Sequence, residues 1–312
     1  MKAWQLTSFG TAPQNVELPE PVPGPGQVLL DIKAAGLCHT DISFIDGEVP
    51  GMPNHLPIVL GHEVAGVIRA VGEGVDGFAV GDAVGVAAVD LNGPGVGRDG
   101  GYAEQTVARV DELVRIPEGV SFAQAAAGTD AGATSYHAVA VTAGVHKGTR
   151  VGVIGLGGLG QTGARIAVLL GAEAYGVDVR EERRATAEEI GAAGFFTSVA
   201  DLAPLELDVI IDFAGFDTTG PAIEAVKPGG RVVQIGAGKP DASIPVVLLV
   251  TKNVTLVGSL GAGKEDVIAV YGYLGRGELA PEITTLSFDQ IGEGLGAVRR
   301  GMVSGRNVAV RD

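Results

Sequence analysis

The stretch that most constrains this chain is an apolar run, Val151–Ile154, which breaks into Gly155, Gly157 and Gly160 before a helical pattern begins. The run is typical of a buried parallel strand, and the glycine spacing is that of a strand-to-helix turn around a dinucleotide pyrophosphate. The first glycine permits the tight turn, the second lets the ligand approach the backbone, and the third lets the helix pack on the strand. Free N–H groups at the helix N-terminus favour phosphate. Because the chain contains 50 glycines, a purely structural turn is the alternative.

A second apolar run, Ala174–Val177, ends in Asp178. This acid follows the last glycine of the turn at about the 20-residue spacing expected of a carboxylate that accepts hydrogen bonds from the adenosine ribose. Such a carboxylate would repel a 2′-phosphate, so the pattern predicts NAD(H) rather than NADP(H). Arg180 and Arg183 lie close by in sequence, and an arginine can hold that phosphate. The alternative is that Asp178 is a solvated strand end.

The composition limits the classes of protein to which the chain can belong. Its 312 residues suggest two domains, and its net charge of −15 argues against nucleic acid and anionic membrane as partners. The single cysteine, Cys38, excludes an intramolecular disulfide framework and fits a reducing compartment. The first residues lack the apolar segment of a signal peptide, and the apolar runs are too short to span a bilayer. We therefore expect a cytoplasmic protein.

Hydrophobic periodicity changes along the chain and predicts an α/β protein with two kinds of domain. The first ~120 residues hold short β-like runs between proline- and glycine-rich turns, a pattern typical of an irregular β-barrel. These runs are Gln27–Ala34, Val64–Val71, Ala83–Val86 and Gly101–Val107. From about Ala123, helical stretches alternate with apolar strands, which predicts a doubly wound parallel sheet. We expect boundaries at 1–130, 131–262 and 263–312, the last segment returning to the first domain.

Two short segments carry residues suited to metal chemistry. The first contains Cys38, His39, Thr40 and Asp41, and the second contains His62 between Gly61 and Glu63. A thiolate and an imidazole are both good zinc ligands, and both segments flank predicted barrel strands. On chemistry alone, the alternative is a buried apolar cysteine and a structural histidine.

The second segment resembles the signature of zinc-containing alcohol dehydrogenases, within the medium-chain dehydrogenase/reductase superfamily. The residues that carry this resemblance are Gly61, His62, Glu63, Gly66, Gly72 and Val75. The segment from Cys38 to Asp41 resembles the first ligand segment of that family, and the turn from Gly155 to Gly160 resembles its cofactor turn. The resemblance covers essentially the whole chain. It implies a GroES-like irregular β-barrel that carries catalytic zinc, a Rossmann domain, and an active site in the cleft between them.

The resemblance also implies a ligand set for the metal. Cys38 and His62 would be zinc ligands, and Asp41 would orient His62 through its other ring nitrogen. Asp130 falls where relatives often have a third cysteine, as in a subgroup of bacterial secondary-alcohol dehydrogenases, and its alternative role is a helix N-cap. Glu63 would lie beside the metal as an alternate ligand or a neighbouring carboxylate.

Further roles follow from the same resemblance. Thr40 would pass the alcohol proton outward, and Ser43 stands where relatives often end the proton relay with a histidine. Arg306 would reach the cofactor pyrophosphate, unless it is a solvated surface arginine. The full set of implied cofactor-binding residues is His39, Thr134, Gly155, Gly157, Gly158, Leu159, Gly160, Asp178, Arg183, Ile235 and Arg306.

Many relatives carry four cysteines that hold a second, structural zinc. The corresponding stretch here, Val89–Asp99, is short and contains no cysteine. The resemblance therefore implies one catalytic zinc per chain.

The function implied is reversible hydride transfer between an alcohol and NAD+. Ala87 and Ala88 stand where relatives often have bulky aromatics, which suggests a secondary or bulky alcohol; the alternative is that both belong to the barrel core. Two rival functions remain: a zinc-free quinone or enoyl reductase of the same superfamily, and a non-catalytic nucleotide-binding protein. Relatives form homodimers or homotetramers, so the resemblance implies one of these.

Overall fold

The structure is a computed structural model that describes residues 1–88 and 90–311. Val89 and Asp312, which belong to the cysteine-free stretch and to the last predicted domain, lie outside the described residues. The chain divides into two compact units. One contains Met1–Ala133 together with the chain from Ala262 onward, and the other is Thr134–Gly261. The roles expected of these units stay predictions.

The strands, in chain order, are β1 (Lys2–Leu6), β2 (Gln14–Glu17), β3 (Gln27–Leu37), β4 (Ile58–Val59), β5 (Glu63–Val71), β6 (Ala83–Val86), β7 (Gln105–Arg109), β8 (Leu113–Arg115), β9 (Arg150–Ile154), β10 (Glu173–Val177), β11 (Gly194–Phe196), β12 (Val209–Asp212), β13 (Arg231–Gln234), β14 (Thr255–Gly258), β15 (Ile283–Ser287) and β16 (Arg306–Val310).

The α-helices are α1 (His39–Asp46), α2 (Phe122–Ala127), α3 (Ala133–Tyr136), α4 (Gly158–Leu169), α5 (Arg183–Ile190), α6 (Thr219–Ala225), α7 (Val246–Thr251), α8 (Lys264–Gly275) and α9 (Ile291–Arg299). Two π-helical segments, Gly128–Gly132 and His137–Thr142, flank α3, and short 3-10 helices occupy Val110–Glu112, Val199–Leu205 and Phe288–Gln290. Among the described helices, none has the length and apolar character needed to cross a membrane.

The first unit contains a seven-stranded sheet in the order β15-β16-β3-β5-β6-β8, with β7 also paired to β3, and a small sheet in the order β2-β1-β4. Apolar side chains of β3 and β5, including Leu30, Ile32, Val64 and Ile68, are buried in its core. Three of the predicted β-like runs, Gln27–Ala34, Val64–Val71 and Ala83–Val86, thus lie within strands of this sheet, and the last strand, β16, pairs antiparallel with β3.

Strand register in this sheet brings distant residues to one edge. In the antiparallel pair of β3 and β5, Gly36 lies opposite Glu63. Cys38 directly follows the end of β3 and His62 directly precedes the start of β5, so both lie at the same end of this strand pair. On the other side of β3, Asn307 lies opposite Leu37, which brings Arg306 to that edge as well. The carboxylate of Glu63 fills the space beside Gly36, because a Cβ there would lie 1.6 Å from Glu63 Oε2.

The predicted strand Gly101–Val107 is wrong in its first half, because β7 begins only at Gln105. The preceding residues instead lie against the small sheet: the Trp4 N–H donates to the Tyr102 carbonyl over 2.7 Å, and Ala103 bridges to Ala3. The chain passes from one sheet to the other at Glu104. A run of β-like residues cannot reveal such a change of partner.

The second unit confirms the predicted doubly wound parallel sheet. Its six strands lie in the order β11-β10-β9-β12-β13-β14, and every pair is parallel. Chain order reverses between β9 and β12, and in open parallel sheets ligands bind at the carboxyl ends of the strands at such a point. Ile154, the last residue of β9, lies opposite both Val177 and Asp212. The glycine turn and Asp178 therefore follow neighbouring strand ends.

Candidate metal centre and dinucleotide turn

Four side chains of the first unit form a cluster that could hold a metal ion. Their ligand atoms, from Cys38, His62, Glu63 and Asp130, all lie within 4.8 Å of one another. Cys38 follows β3, Glu63 begins β5, and Asp130 comes from a helical segment nearly seventy residues further along the chain. Only the fold brings them together.

Asp130 lies inside a helix rather than at its start. Ser121 caps α2, with its hydroxyl accepting from the Gln124 N–H over 3.2 Å, and the helix passes into the π-helical segment Gly128–Gly132. The alternative role of Asp130 as an N-cap is therefore wrong, because the residue before the π-helical segment already has helical backbone angles. Single π-helical turns within α-helices occur frequently at functional sites.

The spacing of the donor atoms fits a zinc ion. His62 Nε2 lies 3.5 Å from Asp130 Oδ2, and Cys38 Sγ lies 3.7 Å from the same oxygen. Ordinary zinc–ligand bonds at tetrahedral angles would separate a nitrogen from an oxygen by about 3.4 Å and a sulfur from an oxygen by about 3.6 Å. A thiolate, an imidazole and a carboxylate are all accepted zinc ligands. These three residues therefore fit the metal in both chemistry and spacing.

Glu63 is engaged elsewhere. Arg306 donates through Nε to Glu63 Oε2 over 3.0 Å, and its Nη2 contacts Glu63 Oε1. The same Nη2 lies 3.1 Å from Asp130 Oδ2. Since both oxygens of Glu63 already accept from one guanidinium, Glu63 has less capacity to bind a metal than Asp130.

Arg306 is not a solvated surface arginine, since its side chain is only 9% exposed. Contact with a cofactor pyrophosphate stays a prediction. Its partners among the acidic residues could not be read from the sequence, because a glycine-arginine pair in a tail gives no signal for a carboxylate more than two hundred residues earlier.

His62 is oriented by a chain of hydrogen bonds. Its Nδ1 lies 3.1 Å from Asp41 Oδ1, which leaves Nε2 directed towards Asp130. Asp41 Oδ2 accepts from the Tyr102 hydroxyl over 2.6 Å and from the Cys38 N–H over 3.0 Å, so it also caps α1. Sequence reasoning placed Asp41 beside His62 but missed Tyr102, since no local pattern relates it to Asp41.

Burial and charge shift the pKa values in this cluster. Burial raises the pKa of Glu63 to about 7, against the lowering effect of Arg306. Burial would also raise the pKa of Asp130, but its hydrogen bond to His62 and the charges of His62 and Arg306 hold that pKa well below its usual value. Burial lowers the pKa of His62, but the charge of Asp41 together with hydrogen bonds to Asp130, Asp41 and Cys38 outweighs that effect and raises the pKa well above its usual value. Glu63 and His62 thus hold protons more tightly than usual, whereas Asp130 stays ionised.

The remaining predicted catalytic residues lie on α1. Thr40 Oγ1 is 3.5 Å from Cys38 Sγ, and its side chain is exposed, as is that of His39. Ser43 lies one turn further along and is half-buried. Thr40 is thus next to the candidate ligand, whereas Ser43 is further from it in sequence.

The glycine turn of the second unit has the geometry of a phosphate-binding loop. Gly155 has φ of +83°, a conformation that favours glycine, and a Cβ at Gly160 would lie 1.7 Å from the Gly155 carbonyl oxygen. A Cβ at Gly157 would meet nothing within 4 Å, so this glycine faces open space. Gly157 is the N-cap of α4. The turn therefore offers backbone N–H groups to a ligand at an unobstructed helix N-terminus.

Asp178 lies beside this turn. Its Oδ2 accepts from the Leu156 N–H over 2.9 Å, so the carboxylate contacts the turn directly. Burial would raise the pKa of Asp178, but hydrogen bonds from Arg180 lower it below its usual value. A solvated strand end is excluded, because the residue is only 7% exposed.

The other predicted cofactor residues of this unit occupy several elements. Gly158 and Leu159 form the first turn of α4, and Ile235 follows β13 and is half-buried. Thr134 and Arg183 are buried, the latter at the start of α5.

Comparison with known proteins gives the family. The alcohol dehydrogenase GroES-like domain matches residues 24–118, and the zinc-binding dehydrogenase domain matches residues 158–273. An alcohol dehydrogenase from Geobacillus stearothermophilus is 30% identical over 338 residues, which cover 99% of this chain and 99% of that protein. This chain belongs to the zinc-type medium-chain alcohol dehydrogenases. It is thus an oxidoreductase with zinc as its metal, and the predicted GroES-like and Rossmann fold is confirmed.

Solved structures of related enzymes are similar to this chain over nearly its whole length. Acetophenone reductase from Geotrichum candidum, solved in complex with NAD, is 30% identical with a TM-score of 0.92, over 99% of this chain and 97% of that one. The alcohol dehydrogenase of the archaeon Aeropyrum pernix is 26% identical with a TM-score of 0.91, over 100% of both chains. The oxidoreductase acts on small-molecule alcohols and carbonyls.

Proposed function

We propose that this alcohol dehydrogenase holds one catalytic zinc ion through Cys38, His62 and Asp130, and oxidises an alcohol with NAD+ or reduces the carbonyl with NADH. The observation that carries the ligand set is the spacing of 3.5 Å and 3.7 Å from Asp130 Oδ2 to the His62 and Cys38 donor atoms. Charge supports the same set. A thiolate and a carboxylate neutralise one divalent ion, and Arg306 neutralises Glu63.

When bound, zinc would act as a Lewis acid on the substrate oxygen. The residues of the chain would prepare that position. With the metal bound, Asp41 would accept from Nδ1–H of His62, so that Nε2 would present its lone pair to the metal, and the Tyr102 hydroxyl, which donates to Asp41, would fix Asp41 in turn. The Thr40 hydroxyl, next to Cys38 Sγ, would accept the alcohol proton and pass it to solvent.

The dinucleotide would bind the second unit. The backbone of the turn from Gly155 to Gly160 would hold the pyrophosphate, and Asp178 would accept hydrogen bonds from the ribose hydroxyls. Two structural relatives support NAD as the dinucleotide: the acetophenone reductase described above is bound to NAD, and a 27% identical structure is an NAD-dependent alcohol dehydrogenase. In this proposal the first unit is the catalytic domain and the second binds the cofactor.

The substrate is proposed to be a secondary alcohol or its ketone. The 30% identity to an acetophenone reductase supports a ketone of this kind. Ala87 gives little further support, because it is fully buried in the core of the first unit.

A homodimer is proposed through the edge of the parallel sheet. Strand β14 is one of the two edge strands of that sheet, and several side chains in it and nearby in sequence are apolar and exposed. They are Val246, Val247, Val250, Leu256 and Leu260. An exposed apolar edge strand is a template for pairing with a second copy. Light scattering should give twice the mass of the chain, or four times if two dimers associate, and Leu256→Lys should shift the mass towards the monomer.

The experiment that tests the proposed function combines metal analysis with an activity panel. The purified protein is expected to hold one zinc per chain, and to oxidise secondary alcohols with NAD+ in a reaction that a chelator abolishes and zinc restores. A protein without zinc that reduces quinones or enones would instead be a zinc-free reductase. Two tightly bound zinc ions per chain would contradict the predicted count.

A further inference from the structure

The carboxylate of Asp178 is saturated by donors of its own chain. Oδ2 accepts from the Leu156 N–H over 2.9 Å, and Oδ1 accepts from the Arg180 backbone N–H over 3.0 Å. The Arg180 side chain adds two contacts, Nε to Oδ1 at 3.1 Å and Nη2 to Oδ2 at 3.4 Å. Because a carboxylate offers about four lone-pair positions, these four contacts leave no position for a ribose hydroxyl.

The two kinds of contact differ in permanence. The two backbone donors belong to the main chain and hold the carboxylate against the glycine turn. The Arg180 guanidinium, by contrast, is on a side chain that is 38% exposed, so it can turn into solvent at small cost. The positions that it occupies on Asp178 are those that two ribose hydroxyls would need.

We propose that Arg180 sets the selectivity of this site between NAD(H) and NADP(H). Its guanidinium competes with the ribose hydroxyls for Asp178, and it offers a charged, bidentate ligand to a 2′-phosphate. Arg180 thus weakens the discrimination against NADP(H) that Asp178 alone would impose. The inference rests on the proposed dinucleotide function.

The neighbouring arginines have other surroundings. Arg183 is buried at the start of α5. Arg184 pairs with Glu181 over 2.5 Å, and its guanidinium lies 4.9 Å from the centre of the Phe195 ring. Arg184 carries the same charge close by in sequence, is 47% exposed and is not among the donors to Asp178, so it provides a matched control.

The test measures binding of NAD+ and NADP+ to the full-length, zinc-loaded protein by calorimetry. In Arg180→Gln the Kd for NADP+ should rise about tenfold or more, whereas the Kd for NAD+ should fall or stay unchanged, because a charged hydrogen bond to phosphate is lost and a competitor is removed. Arg180→Lys keeps the charge without the bidentate geometry, so its Kd for NADP+ should lie between those of the wild-type protein and Arg180→Gln. Arg184→Ala should leave both values unchanged.

Two outcomes would overturn the inference and can be told apart. If both dinucleotides bind and the ratio of their Kd values changes less than twofold in Arg180→Gln, or changes equally in Arg184→Ala, Arg180 does not set selectivity. If the wild-type protein binds neither dinucleotide, the proposed function fails and the inference fails with it.

Discussion

The metal cluster and the glycine turn are built in opposite ways. The cluster consists of the side chains of Cys38, His62, Glu63 and Asp130, which strand register and a π-helical segment bring together, and Arg306 lies beside its two carboxylates. The turn is a contiguous segment from Gly155 to Gly160, and its function depends on glycines, which have no side chain to block the approach of a ligand or of the helix. One site needs many long-range contacts, and the other needs one local conformation.

This difference predicts how each site responds to substitution. In the cluster, each buried charge is compensated by another, so removing one leaves its partner unpaired. In the turn, the effect of an added methyl group depends on the space around each Cβ. Substitutions in the cluster should therefore change metal content and stability together, whereas substitutions in the turn can separate binding from stability.

The largest effect is expected from Asp130→Ala. The protein should lose its zinc, and kcat/KM should fall by about a thousandfold or more, since several kcal/mol of charge stabilisation depend on the metal. Metal analysis of the dialysed protein gives the first readout and steady-state kinetics the second. Glu63→Gln is the control and should retain most of the metal. Full occupancy in Asp130→Ala with loss of zinc in Glu63→Gln would make Glu63 the third ligand.

Arg306→Met should destabilise the fold by about 1–3 kcal/mol, because the buried carboxyl groups of Glu63 and Asp130 lose a hydrogen-bond donor. Burial already raises the pKa of Glu63 to about 7, so without the arginine this group would take up a proton near neutral pH. The double variant with Glu63→Gln should recover part of that loss. Urea unfolding of the two variants measures the difference. If Arg306→Met instead raises only the KM for NAD+, with stability and metal content unchanged, the predicted contact with the pyrophosphate is the main role of Arg306.

Two alanine substitutions in the turn form a matched pair. Gly160→Ala should destabilise the protein by about 1–3 kcal/mol, because its methyl group would overlap the Gly155 carbonyl oxygen. Gly157→Ala should leave thermal unfolding unchanged, since its methyl group enters open space, but should weaken NAD+ binding about tenfold by blocking the approach to the backbone. Equal effects of the two on stability would show that Gly157 is not the ligand-facing glycine.

The last pair of substitutions concerns the hydrogen-bond chain behind His62. Asp41→Asn should weaken zinc binding by about 10- to 100-fold, because the partner that orients a metal-binding histidine is altered. Tyr102→Phe removes only the next donor in the chain and should weaken it less. Competition with a chelator ranks the variants. A larger loss in Tyr102→Phe than in Asp41→Asn would reverse the order of the chain inferred from the geometry.

The sequence by itself determined the features that depend on neighbouring residues. The strand before the glycine turn, the helix after it and the acid at the end of the next strand are local patterns, and the structure contains all three. The segments around Cys38 and His62 were recognised by their resemblance to the ligand segments of zinc-containing alcohol dehydrogenases, which short stretches of neighbouring residues also carry. In each case a short stretch of backbone carries the signal.

Only the tertiary structure decided which carboxylate faces the candidate ligands and which one is held at both oxygens by Arg306. Glu63 adjoins His62 in sequence, yet both of its oxygens contact Arg306, whereas the distant Asp130 lies against Cys38 and His62 and has a single contact with Arg306. That choice follows from the register of β3 with β5 and β16 and from the π-helical segment that carries Asp130. Contacts over such separations depend on how strands pair, and hydrophobic periodicity along one strand does not specify its partner.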